Sequence, residues 1–157
     1  MFKIDHSKLV DSKFLGIPFV SMGRSFDGVD CVGIVWLFLK ENGIEVPDTD
    51  GLPVPRDWKK HDAERLINMV LKLGDLAPLK KLKKFDVILF TLSDSKRRVP
   101  DHIAVLISHS HFLHITENGI SCVEGFNEFN VDRLSGAFRL HKTMELIPKG
   151  MDLQVKF

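Results

Sequence analysis

Residues 27–35 read DGVDCVGIV and mark the point where a polar, glycine-rich loop ends and an apolar helix begins. Asp30 is a preferred N-cap residue, and Asn42-Gly43 is a typical helix end. Between them, apolar residues recur at helical spacing: Cys31, Val32, Val35, Phe38 and Leu39. Cys31 therefore falls in the first turn, where orphan N–H groups and the helix dipole stabilise a thiolate. The alternative interpretation is a buried, unreactive cysteine.

Further helices are predicted on both sides of this one, and strands follow them. Residues Ser7–Leu15 form a short helix that ends at residues 16–18, and a later helix begins at Asp62 and stops at Gly74. The predicted strands are Phe85–Leu92, His102–Ser108, Phe112–Thr116, Ile120–Glu124 and Gly136–His141. Helices packed on an antiparallel sheet of about five strands make an α+β fold. We expect a single domain over residues 1–157, with its core over 14–140 and a C-terminal extension over 144–157.

The composition excludes several classes of protein. The chain has 157 residues and a net charge of +1, which argues against a protein that binds nucleic acid with its whole surface. Two cysteines are too few for a disulfide-rich scaffold or a four-cysteine zinc site. No apolar run is long enough for a signal peptide or a membrane span, so we expect synthesis in the cytoplasm without a leader.

Two basic runs, at residues 80–84 and 96–98, stand out against the neutral total. They lie in predicted loops, where such runs are usually solvated, and contact with an anionic partner is the alternative. No aromatic residues alternate with the basic ones to stack on bases, so no nucleic acid partner is expected.

Two histidines offer the thiol of Cys31 a base. His102 and His114 lie on successive predicted strands, and a hairpin that turns around Ser108 would place them directly opposite on one face. One imidazole can then take the thiol proton while the second orients the first. Two surface histidines on an amphipathic hairpin are the alternative.

A metal site is a third interpretation of the same hairpin. Four histidines and a carboxylate crowd it: His102, His109, His111, His114 and Asp101. Strand alternation puts two of the histidines on the opposite face, and no metal-binding motif is present. We therefore expect neither a metal nor another cofactor.

The second cysteine, Cys122, alternates with Ile120 in a predicted strand. This pattern favours a structural residue of the core, because free cysteine is often buried. A Cys31–Cys122 disulfide stays open as an alternative.

Taken together, these stretches resemble the NlpC-type cell-wall peptidases, which are compact papain-like enzymes. The likeness runs from about Phe14 to Leu140. Its segments are Gly16-Ile17-Pro18-Phe19, residues 27–35, residues 85–90, residues 101–107, residues 112–115 and residues 133–140. The last segment, RLSGAFRL, is most similar to the single-domain members encoded by phages and gene transfer agents.

The resemblance implies a Cys-His-His triad with Cys31 as nucleophile, His102 as general base and His114 as the residue that orients the imidazole. Such enzymes hydrolyse the bond between D-glutamate and a diamino acid in the stem peptides of peptidoglycan. The backbone N–H of Cys31 is the expected oxyanion donor.

The expected substrate side is formed by Phe19, Asp30, Val32 and Asp101. Two of these residues depart from the family pattern, which commonly has Tyr at the position of Phe19 and Ser at the position of Val32. Both departures remove a polar group from the substrate side and bear on the D-glutamyl specificity.

The resemblance also implies partners and a place of action. Peptidoglycan peptides are the expected substrate, phage tail proteins are possible partners, and the protein would act at the cell wall in a phage particle or after lysis. Two alternatives remain open. One is a phage tail assembly protein with the same fold and little or no hydrolase activity. The other is a papain-like amidase or acyltransferase on another substrate.

Overall fold

The computed structural model describes residues 9–47, 64–92 and 99–141 of the chain. Three α-helices occur in this part: α1 (Cys31–Glu41), α2 (Arg65–Leu73) and α3 (Glu128–Asp132). A small ribbon is formed by β1 (Arg24–Ser25) and β2 (Gly28–Val29). The other strands are β3 (Gly74–Leu76), β4 (Val87–Phe90), β5 (His102–Leu106), β6 (His111–His114), β7 (Cys122–Gly125) and β8 (Leu134–Leu140).

Strands β3 to β8 form one six-stranded sheet in the order β3-β8-β4-β5-β6-β7, and every neighbouring pair is antiparallel. This arrangement confirms the α+β fold. The sheet has six strands because β3 pairs with β8 at one edge. The sequence shows β3 only as a helix stop at Gly74, since three residues are too few to display a strand period.

Helix α1 supplies much of the core. It packs on β5 and β6, and its buried residues include Ile34, Val35 and Phe38. These side chains join the first of two apolar clusters, which includes Ile103 and Val105 of β5. The second cluster contains Phe90, Ala104, Leu106 and Phe112. Alternate residues of the central strands thus serve different clusters on the two faces of the sheet.

The predicted N-terminal helix differs from what forms. Residues 7 and 8 lie outside the described part, and the rest contains only a 3₁₀ turn, Ser12–Phe14, capped by Asp11. The reason is tertiary: Ser121, just before β7, accepts from the backbone N–H of Ile17 at 2.9 Å and donates to Phe14 O at 2.6 Å. These bonds hold the segment in an extended path beside the residues just before β7, where it cannot continue a helix.

Other predictions fall partly outside the described residues. The proposed cap Asp62 lies there, but α2 ends before Gly74 as the sequence indicates. The basic run at 96–98 and the extension over 144–157 also lie outside, and the single-domain assignment stays a prediction. Among the described helices, none has the length and apolar character needed to cross a membrane.

Candidate active site

The thiol of Cys31 stands at the first residue of α1, as predicted. Asp30 is the N-cap, and its Oδ1 accepts from the backbone N–H of Gly33 at 2.7 Å. Cys31 and Val32 lie in the first turn of α1, where backbone N–H groups point out of the helix end instead of bonding within the helix. Cys31 is half-buried, so its sulfur lies at a polarised and partly accessible helix end.

Asp30 is held by more than the helix. Arg24 Nη1 lies 2.8 Å from Asp30 Oδ1, and both side chains are mostly buried, at 15% and 17% exposure. The backbone N–H of Met22 donates to Asp30 Oδ2 at 2.9 Å. Both carboxylate oxygens therefore have partners within the protein. These bonds hold the loop before α1 in place. Sequence reasoning missed Arg24, whose only signal is a cation in the same glycine-rich loop.

Gly33, in the first turn of α1, is a position where only glycine fits. A Cβ added at residue 33 would overlap the carbonyl oxygen of Gly23. The close approach of the Gly23 backbone to α1 thus requires glycine two residues after Cys31, and it explains why this residue belongs to the DCVG motif.

Phe19 and Val32 both lie close to the start of α1. Phe19 is half-buried, donates its backbone N–H to Gly119 O at 3.1 Å and forms a parallel bridge with Val29. Val32 is half-buried as well, and both side chains pack against the same cluster as Cys31. Their contact with substrate stays a prediction.

The two histidines come together, but in a different register from the one predicted. In the β5–β6 hairpin Val105 pairs with Leu113 and Leu106 with Phe112, which centres the turn on His109. The prediction of a turn around Ser108, with directly opposed histidines, is therefore wrong. The shift moves each partner by two residues, so the side chains keep the same face and become diagonal neighbours.

Diagonal placement brings the two rings into direct contact. His102 Nε2 lies 2.8 Å from His114 Nδ1, and both residues are buried, at 4% and 7% exposure. The rings pack edge to face, with Phe90 against His102 and Phe112 against His114. This burial is inconsistent with two solvent-exposed histidines on an amphipathic hairpin.

A fourth ionisable residue, Glu124, touches the pair. Its Oε2 lies 3.0 Å from His114 Nε2, at ion-pair distance but without hydrogen-bond alignment. Burial lowers the pKa of His114, and the negative charge of Glu124 opposes that effect. Sequence reasoning missed Glu124. Its spacing of two residues from Cys122 places both side chains on one face of β7, the face that His114 shares on β6.

Cys122 differs from the predicted core residue. It is half-buried and lies opposite His114 in the β6–β7 pair. Burial and the charge of Glu124 raise the pKa of its thiol, which keeps it protonated and weakly nucleophilic. Both cysteines are free thiols, so Cys31 and Cys122 form no disulfide.

Asp101 acts on the backbone that leads into β5. Its Oδ1 accepts from the N–H of Leu92 at 2.7 Å, and its own N–H donates to Phe90 O at 2.9 Å. These bonds set where His102 begins the strand. Across residues 9–47, 64–92 and 99–141, no group of three or more His, Cys, Asp or Glu side chains is placed to hold a metal ion.

The arrangement supports acyl transfer to a thiol. Cys31 begins the helix that packs on β5, and His102 is the first residue of β5. Because His102 Nε2 faces His114, Nδ1 is the ring nitrogen through which His102 would accept a proton from a thiol. Side chains that could serve as nucleophile, base and orienting group thus lie on three packed elements, α1, β5 and β6.

Comparison with known proteins points the same way. The sequence profile of the NlpC/P60 family matches residues 16–139. An NlpC/P60 family protein from Bacillus cereus ATCC 10987 shares 21% identity with a TM-score of 0.60, over 88% of this chain and 41% of that one. NlpC2 from Trichomonas vaginalis shares 20% identity with a TM-score of 0.61, over 85% and 45%.

A third solved structure is the NlpC/p60 domain of the peptidoglycan hydrolase SagA. It shares 16% identity with a TM-score of 0.51, over 87% of this chain and 100% of that domain. The chain thus spans less than half the length of the first two structures and matches the full length of the isolated domain. No curated protein sequence matches it.

Proposed function

Because this chain belongs to the NlpC/P60 family, we propose that it is a cysteine peptidase that hydrolyses peptide bonds in peptidoglycan stem peptides, of the D-glutamyl–diamino acid type. The family is one of cysteine peptidases and cell-wall hydrolases. The observation that carries the proposal is the buried His102–His114 pair, 2.8 Å apart, on the sheet that the Cys31 helix covers. Buried titratable groups in contact cluster at functional sites, and activation of a thiol is a function that two such imidazoles can perform.

In the proposed mechanism Cys31 gives its proton to His102 Nδ1, and the thiolate attacks the carbonyl carbon of the scissile bond. The backbone N–H of Cys31 stabilises the oxyanion that forms. Collapse breaks the C–N bond, and the amine leaves with the proton from His102. Water, activated by the same imidazole, then hydrolyses the thioester and releases the acid.

We further propose that Phe19 and Val32 form an apolar wall beside the nucleophile. Asp30 and Asp101 would act on the substrate through the loops they fix, since their carboxylates accept backbone N–H groups of the protein. An apolar wall favours a stem peptide that offers methyl or methylene groups rather than hydrogen-bonding groups at this position.

The likeness of residues 133–140 to phage-encoded members supports a proposed delivery to the wall in a phage tail particle or after lysis. Phage particles produced by cells that carry the gene, tested with an antibody to this chain, would check this. Detection in purified tails is expected for a particle component, and detection in the lysate alone is expected for a free lytic enzyme.

The activity test is digestion of purified peptidoglycan followed by mass spectrometry of the new ends. We expect a new amine on the diamino acid and a new carboxylate on D-glutamate. Cys31→Ser should reduce the rate by about 10⁴-fold or more, because the acyl-enzyme can no longer form efficiently.

The matched control is Cys122→Ser, which removes the other thiol of the chain. It should keep cleavage within about threefold of the wild type, since the raised pKa of Cys122 makes it a poor nucleophile. Cleavage that survives Cys31→Ser would contradict the proposed nucleophile. No cleavage by the folded wild type would favour the tail assembly protein, and a new end at another bond would favour an amidase.

A further inference from the structure

Three polar side chains form a diagonal line across neighbouring strands of the sheet. His102 on β5, His114 on β6 and Glu124 on β7 are each displaced by two residues from the position directly opposite the next. Diagonal neighbours on one face can make contact across a sheet. The distances are 2.8 Å from His102 Nε2 to His114 Nδ1 and 3.0 Å from His114 Nε2 to Glu124 Oε2.

The protons along this line are constrained by the contacts. One proton can lie between His102 Nε2 and His114 Nδ1, so one ring donates and the other accepts. If His114 carries its proton on Nε2, next to Glu124, its Nδ1 must accept from His102. His102 then presents an unprotonated Nδ1, which is the form that can take a proton from a thiol.

Glu124 is placed to select this tautomer. His114 Nε2 is buried and has no aligned hydrogen-bond partner among the described residues. A proton on this nitrogen is therefore stabilised mainly by the nearby negative charge of Glu124. The Glu124 carboxylate is about half exposed and reaches this atom from the solvent side. The opposite tautomer would place a lone pair of His114 against a carboxylate, which is repulsive.

We propose that Glu124 is a positioning residue that holds the proton of His114 on Nε2 and so keeps His102 Nδ1 available to Cys31. When His102 becomes positively charged during the reaction, the same carboxylate stabilises it through His114. The functional part of this inference rests on the proposed thiol chemistry. The tautomer itself does not.

The titratable groups around His114 come from both neighbouring strands. His102 contacts it from β5, while Cys122 and Glu124 lie beside it on β7. Cys31 begins the helix that packs on β5 and β6. Of these contacts, Glu124 is the one whose change to Gln removes a negative charge while keeping nearly the same shape.

The first experiment reads the tautomer by imidazole ¹⁵N chemical shifts in the full-length chain. We expect His114 to be protonated on Nε2 in the wild type, and Glu124→Gln and Glu124→Ala to populate the Nδ1 tautomer and move the His114 titration to lower pH. Glu128→Gln, which removes an exposed charge on α3, is the matched control and should change neither. An unchanged His114 tautomer in both Glu124 variants would overturn the proposal.

The second experiment reads the consequence at the thiol. With Cys122 replaced by Ser, iodoacetamide reports on Cys31 whether or not the chain cleaves peptidoglycan. We expect Glu124→Ala to slow alkylation near pH 7 by about tenfold, Glu124→Gln by less, and kcat to fall with little change in KM. If alkylation and kcat stay at wild-type values while the tautomer changes, the positioning role is refuted but the proposed peptidase stands. If the wild type never cleaves peptidoglycan, the proposed peptidase fails while the tautomer and alkylation results still decide the role of Glu124.

Discussion

Replacement of Asp30 should loosen the helix start that presents the nucleophile. Its Oδ1 caps α1 through the N–H of Gly33 at 2.7 Å and pairs with Arg24 Nη1 at 2.8 Å. Loss of an N-cap side chain destabilises a protein by about 1 kcal/mol. Ion pairs contribute about 0–1 kcal/mol when exposed, and breaking a buried one costs about 3–5 kcal/mol. The Arg24–Asp30 pair is mostly buried but keeps some solvent exposure, so we assign it a contribution to stability of about 1–3 kcal/mol.

These contributions add to roughly 2–4 kcal/mol for Asp30→Ala, a large share of the ~5–15 kcal/mol that keeps a domain folded. For a chain of this size the corresponding fall in Tm is roughly 5–15 °C. Asp30→Asn should lose about 1 kcal/mol less than Asp30→Ala, because Asn is an equally good N-cap but carries no charge for Arg24.

Urea unfolding followed by circular dichroism measures these differences. Asp27→Asn is the control, since it removes an exposed charge from the same loop. An Arg24→Met/Asp30→Asn double-mutant cycle should give a coupling energy of about 1–2 kcal/mol. Equal stability of Asp30→Ala and Asp27→Asn would refute the assigned cap and ion pair, and so would an Asp30→Asn variant as unstable as Asp30→Ala.

Two further predictions concern Gly33 and His114. Gly33→Ala should destabilise the fold by about 1–3 kcal/mol, because the new methyl group meets the Gly23 backbone. Gly136→Ala is the control, since a Cβ there has ordinary contact distances, and it should destabilise the fold much less in the same unfolding assay. Burial lowers the pKa of His114 below its unfolded value of 6.5, so the unfolded chain binds the extra proton first and stability should fall as the pH drops below about 6.5. His114→Gln should reduce this slope, which for one proton is at most about 1.4 kcal/mol per pH unit. A slope in His114→Gln equal to that of the wild type would contradict this assignment.

Local signals in the sequence were sufficient for α1. The cap at Asp30, the apolar spacing after it and the stop at Asn42-Gly43 predict a helix from Cys31 to Glu41, and the helix has these bounds. A capped helix is decided by neighbours within four residues, so its start can be found without knowledge of the rest of the chain. The position of the thiol at the helix end follows from the same residues.

The strands could be predicted as strands, but their register could not. Alternation in β5 and β6 is sufficient to put His102 and His114 on one face, because a strand has a period of two. Whether they lie opposite or on a diagonal depends on the turn, and the turn is centred on His109 rather than Ser108. A two-residue change of partner keeps every side chain on its face, so the apolar pattern alone does not distinguish the two registers.

By itself, therefore, the sequence determined where the thiol lies, which residues alternate as strands, and that two histidines share one face. Only the tertiary structure decided what surrounds them: Arg24 beside Asp30, the 2.8 Å contact between the imidazoles, and Glu124 at the end of the line. The physical reason is distance along the chain. Capping and periodicity act between near neighbours, whereas these contacts join residues brought together by strand pairing and loop closure, which local patterns do not encode.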